Sequence, residues 1–105
     1  MKAIKIPVEG KAKIIEIEGK TVGEQLKALQ REVGGHIETV TIAEDCCLIV
    51  DEEGLLKGKP INYTASRLGC TLAGDVLVCG VEYDHFVDVP DGMIQMMKER
   101  FGILC

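Results

Sequence analysis

Gly74-Asp75-Val76-Leu77-Val78-Cys79 is a turn followed by an unbroken apolar run. A run this short, introduced by turn residues and rich in β-branched side chains, reads as a central β-strand. Working back from it, Asn62 is placed to cap a short helical turn from Tyr63 to Leu68 closed by Gly69, and Gly54, Gly58 and Pro60 mark residues 54–61 as loop. Further back, Ile37 to Ile42 and the apolar run Cys46 to Val50 form a hairpin through Glu44-Asp45. Ile37 and Val40 have opposite parity there, which implies a bulge or a late strand start. Forward of the central run, Phe86 and Val87 add a short strand. Pro90 is preorganised for the first turn of a last helix that carries Met93, Ile94, Met97 and Phe101 on one side, with Met96 turned away, and ends at Gly102.

The first third follows the same rules. Ile4, Ile6 and Val8 alternate with polar or small residues, Glu9-Gly10 turns the chain, and Ala12, Ile14, Ile15 and Ile17 return it as a second strand. Pro7 marks an edge or a strand end, because proline has no N–H to give a ladder. Thr21-Val22-Gly23-Glu24 fits a capping box, and Val22, Leu26, Leu29 and Val33 recur at helical spacing before Gly34-Gly35, predicting a helix over 21–33. Strands and helices mix without a sustained βαβ alternation. The expectation is an α+β fold: a mainly antiparallel sheet of about five strands packed with two main helices and a short helical turn.

At 105 residues and 11.4 kDa the chain has length for one core, so residues 1–105 are read as a single domain. With 47% hydrophobic and 28% charged residues, disorder is not the default. The formal charge of -5 works against binding nucleic acid, whose phosphates demand Lys and Arg. No apolar stretch approaches the roughly 18 residues of a membrane span, and the start is unlike a signal peptide, so a cytoplasmic location with reduced cysteines is expected.

The chemistry-bearing residues form no familiar constellation. Cys46 and Cys47 are neighbours on a strand and point to opposite faces, Cys79 reads as core, and no C-x-x-C pair occurs, so no metal and no cofactor is expected. Cys70 with His36 or His85 is the one nucleophile-and-base pairing that the residue types permit, and Cys105 is a further thiol. Glu82, Asp84, Asp88 and Asp91 make an acidic loop without calcium-loop spacing. Gly54-Leu55-Leu56-Lys57-Gly58-Lys59-Pro60 is similar to a phosphate loop, but it has three residues between the glycines where four are needed, and Pro60 replaces the metal-binding hydroxyl.

Four segments in order, Val33-Gly34-Gly35-His36-Ile37-Glu38, Val50-Asp51-Glu52-Glu53-Gly54, Pro60-Ile61-Asn62-Tyr63-Thr64-Ala65 and Ala73-Gly74-Asp75-Val76-Leu77-Val78, resemble the small domain of unknown function numbered 3846. The resemblance covers roughly residues 3–101. That family is encountered in phages, plasmids and other mobile elements and has no established activity, so the resemblance implies a context and no mechanism. Asp51 stands where it leads one to expect asparagine, and the several cysteines are a second departure. The resemblance singles out Gly34 and Gly35, whose backbone amides beside Glu38 offer a close approach, and Asn62 beside Tyr63 and Arg67. Each also has a conformational reading: the glycines stop a helix and Asn62 caps one.

The leading expectation is a small non-enzymatic accessory protein of a phage or mobile element that binds a host protein, as an inhibitor of defence or regulation. The alternative is sequestration of a small, nucleotide-like ligand near Gly34, Glu38, Asn62 and Arg67, with Arg67 as the anion clamp. An enzyme using Cys70 or a histidine is the third reading. Pairing of an edge strand such as the one with Pro7 would give a homodimer.

Overall fold

A computed structural model describes residues 1–68, 70–83 and 85–102, the side chain of Phe101 apart. The helix end at Gly69, Asp84 of the acidic loop, Cys105 and the side of α3 that Phe101 takes lie outside the described residues. Chain order runs β1 (Lys2–Ile6), β2 (Lys13–Glu16), α1 (Val22–Val33), β3 (Ile37–Ala43), β4 (Cys46–Asp51), α2 (Tyr63–Ser66), β5 (Val76–Glu82), β6 (His85–Val87) and α3 (Asp91–Phe101). All strand pairings are antiparallel, in the order β2-β1-β5-β4-β3, with β6 also on β5. The fold is α+β, with the Val76 run at the centre of the sheet.

Period-two alternation distributes the strands' side chains to two cores. Ile4, Ile6, Cys46, Leu48, Val50, Val76 and Val78 face one way and are covered by Ala65 and Leu68 at α2 and by Met93, Ile94 and Met97 of α3. Ala3, Cys47, Ile49, Leu77 and Cys79 face the other way, under Ala28, Leu29 and Val33 of α1. Helices on both faces explain why β4 and the first half of β5 read as continuous apolar runs, where an antiparallel sheet with one wet face would alternate. Met96, expected to turn away from the core, is half-buried against the α3 side, because its unbranched side chain bends back to fill the margin of the cluster.

The ends of α1 form as the residue types dictate. Glu24 N–H donates to Thr21 Oγ1 at 3.1 Å and Thr21 N–H donates to Glu24 Oε1 at 3.2 Å, completing the capping box. Gly34 ends the helix in the left-handed conformation, with φ 81°. The β3–β4 register shifts between Thr41 and Ala43, beyond the stretch where a bulge or late start was expected: from Ile37 to Thr41 the pairing is regular, and the opposite parity of Ile37 and Val40 sends them to the two different cores. Pro90 is the N-cap of α3, in extended conformation just outside the first turn, rather than its first helical residue.

Of the two readings of Pro7, the strand end is the one found: it lies one residue past β1, where its missing N–H costs the ladder nothing, and β1 is an interior strand paired with both β2 and β5. A homodimer through the Pro7 strand is therefore excluded by its own neighbours, and the sheet's outer strands are β2 and β3. Nor does the apolar stripe of α1 bury along its whole length: Val22 is 74% exposed and Leu26 39%. These two lie toward β6, which is three residues long and offers them little besides Phe86.

Candidate functional site

Asp51 closes β4 directly after five buried apolar residues, so its carboxylate is carried into the protein and must find partners there. Its side chain is 1% exposed, and Lys57 Nζ and Lys59 Nζ reach Oδ2 at 2.9 and 2.8 Å. The N–H of Glu53 donates to Oδ1 at 2.9 Å. The same two ammonium groups go on to the end of α1, where helical carbonyls lack intrahelical partners. Lys59 Nζ donates to Val33 O at 2.7 Å and Lys57 Nζ to Gly34 O at 3.4 Å. Loop 52–60 is thus fastened to α1 through one buried carboxylate, and a side chain at Gly35 would intrude on Lys57 Nζ and both Asp51 oxygens.

Burial by itself would raise the pKa of Asp51, but the hydrogen bonds from Lys59, Lys57 and the Glu53 N–H prevail and hold it well below the usual carboxylate range. The bond to Asp51 in turn pushes the Lys57 pKa up. A carboxyl depressed in the folded state stabilises fully above its ordinary value of 3.8 and loses that contribution as pH falls below it. The stability difference between wild type and Asp51→Asn, measured by urea denaturation, is expected to be constant above about pH 5 and to shrink below about pH 4. A difference that stays constant into stronger acid would show that the carboxylate does not carry the clamp.

Of the residues singled out by resemblance, Gly34 and Gly35 do border this clamp. Their amides are engaged, however: both donate to Gln30 O, at 2.8 and 3.1 Å, in ending the helix. Asn62 is completely buried, donates through Nδ2 to Ile6 O at 2.8 Å and Gly74 O at 2.9 Å, and accepts from Ala65 N–H at 3.0 Å. Tyr63 and Arg67 are exposed beside it. Glu38 opens onto a small hollow with Asp51, Leu55 and Thr71, whereas Gly35 borders a separate cleft of about 390 Å³ with Lys27, Gln30, Arg31 and His36. Neither cavity is lined by Asn62, Tyr63 or Arg67, so the six positions do not converge on one space.

Lys57 and Lys59 were legible only as a failed phosphate loop, and Asp51 only as part of a turn. The signal that identifies them is a carboxylate at the end of a fully apolar strand followed within a few residues by two lysines, since a buried charge needs a partner. As for the thiols, burial pushes Cys46 up to about 11 and Cys79 up to about 12, and Cys47 upward as well, so all three stay protonated at neutral pH. Cys46 and Cys47 face opposite cores, as strand alternation requires. Cys70 is exposed. Among the described residues no group of three His, Cys, Asp or Glu side chains is placed to hold a metal ion, and no helix is long and apolar enough to cross a membrane.

Fold and site together define a small α+β domain with helices on both sheet faces and a lysine-clamped aspartate joining loop to helix. The chain belongs to the family described as Domain of unknown function (DUF3846), whose model matches residues 1–102. Neither the curated proteins nor the solved structures yield a match.

Proposed function

We propose that this protein is a non-enzymatic binding module that engages a partner protein through the groove between α1 and β6, in the setting of a phage or mobile element acting on its host. The observation that carries the reading is the overhanging apolar stripe of α1. Val22 and Leu26, with Gln25, His85 and Phe86, line a groove of about 380 Å³. Exposed apolar side chains are common singly, but two on one helix face beside an aromatic residue form a concave apolar surface of the kind that receives a partner's side chains. Glu82, exposed and paired with the groove residue His85 across the β5–β6 hairpin, adds an acidic group next to it. The occupant that fits is an apolar polypeptide segment flanked by basic residues.

Immobilised wild-type protein is expected to retain a discrete protein from host lysate. Val22→Glu/Leu26→Glu should lose roughly tenfold or more of it, the equivalent of about 1.4 kcal/mol or more. Lys13→Glu, on β2 and away from the groove, should retain it in full, and circular dichroism of both variants verifies the fold. Equal retention by the groove variant, or no retained protein with wild type, would overturn the reading.

A further inference from the structure

We propose that the cleft at the last turn of α1 binds the phosphate group of a small phosphorylated ligand, independently of the groove beside β6. Lys27 and Arg31 stand four apart on one face of α1, and the chain's return past Gly35 brings His36 to the same concavity, with Gln30 between them. No hydrogen bond or ion pair within the described residues engages the side chains of Lys27, Gln30, Arg31 or His36.

Basic residues near a helix C-terminus ordinarily answer the negative end of its dipole. Here that role is already filled. Lys59 and Lys57 donate to Val33 O and Gly34 O, and the Gly34 and Gly35 amides close on Gln30 O. The nearby acids are engaged elsewhere or stand apart: Glu24 serves the capping box, Glu32 reaches Lys5 at 3.4 Å, and Glu18 and Glu24 border a neighbouring hollow with Lys27 and Arg31 without forming an ion pair with either among the described residues. Lys27 and Arg31 therefore stand one helical turn apart with like charge and no ion-pair partner among the described residues. An anion in the cleft supplies that partner.

The donor set selects the anion. A guanidinium presents a planar fork that matches two oxygens of a phosphate, the ammonium adds a point charge, and the Gln30 amide and His36 ring add directional donors. The volume of about 390 Å³ lies within the range of small-molecule sites, roughly 300–1,000 Å³. A long polyanion, which would extend past this cleft over the rest of the surface, is disfavoured by the chain's net charge of -5. A small phosphorylated ligand is held mainly by the basic cluster.

Titration of the ¹⁵N-labelled full chain with pyrophosphate, followed by ADP, at physiological salt tests the assignment. Saturable shifts confined to the amides around Lys27–His36 are expected. Arg31→Gln should weaken binding about tenfold and Lys27→Gln several-fold, with Lys13→Gln unchanged. Both replaced side chains are exposed, so the variants keep the fold, and their unperturbed spectra elsewhere verify it. Shifts that fail to saturate, that spread evenly over the surface, or that persist in Lys27→Gln/Arg31→Gln would overturn the proposal. So would a single-stranded oligonucleotide that binds through Lys27 and Arg31 while pyrophosphate fails to compete.

Discussion

Replacing Asn62 with alanine is expected to cost about 3–5 kcal/mol of folding free energy, because each buried polar group left without a partner costs about 1–3 kcal/mol. Three such groups appear at once: the carbonyls of Ile6 and Gly74 and the N–H of Ala65. They belong to the end of β1, the approach to β5 and the first turn of α2, so one side chain joins three segments. The four-residue α2 is too short to persist without that anchor. In a domain of this size the loss lowers Tm by more than about 12 °C. Asn62→Asp separates the two halves of the role. Aspartate caps a helix as well as asparagine does, yet it would set a carboxylate oxygen against two carbonyl oxygens. Urea denaturation is expected to find Asn62→Asp at least as unstable as Asn62→Ala at neutral pH. A near-native Asn62→Asp would mean that only the cap matters.

The second large effect is expected at Gly80→Ala. Gly80 lies in β5 where Cys46 of β4 pairs on one side and Val87 of β6 on the other. A Cβ there would overlap the carbonyl oxygen of Asp88 and press on Val87 Cγ2 at 3.0 Å. The first of these is backbone and cannot rotate away, so the chain after β6 must lift. Overpacking of this kind costs about 1–3 kcal/mol, and the upper end is expected because the ladder beyond Gly80 is lost with it. Hydrogen exchange localises the damage: the Val89 amide, which donates to Lys2 O at 2.9 Å, should lose its protection while the amides of β3 and β4 keep theirs. Uniform protection with an unchanged Tm would show that the segment yields without cost.

The elements were legible where their causes are local. Thr21 and Glu24 are three residues apart, Gly34 follows the last buried residue of its helix, and Asn62 precedes the turn that it caps, so near neighbours carry the information. The bulge at Ile42 had no such local signal, since the opposite parity of Ile37 and Val40 is met by the two cores on either side of the sheet. Relations between distant segments were not readable in the same way. Whether the Pro7 strand is an edge depends on where β5 inserts, and whether Val22 and Leu26 bury depends on how far the sheet extends beneath α1. The clamp failed to show for a related reason. Asp51, Lys57 and Lys59 are close in sequence, but the loop between them has no periodic pattern, so the path that returns both ammonium groups to one carboxylate has no signature in the residue types. Asn62 was marked correctly as a cap, while its two bonds to Ile6 and Gly74 arise only from tertiary placement.

The position of β5 between β1 and β4 bears on how the molecule is made. Ile4 pairs with Val78, more than seventy positions later in the chain, and Leu48 pairs with the same residue from the other side. The β1–β2 and β3–β4 hairpins emerge early, yet apart from the cover of α1 no strand joins them until the one between them arrives. At about 5–20 residues per second, the ribosome leaves the first hairpin without its inner neighbour for roughly three to twelve seconds. During that interval the inner edges of β1 and β4 present open ladders of Ile4, Ile6, Leu48 and Ile49. Assembly then hinges on closing that long loop, the kind of step that makes non-local sheets slow to form. The chain is therefore most vulnerable to aggregation as a nascent chain, before its seam is delivered.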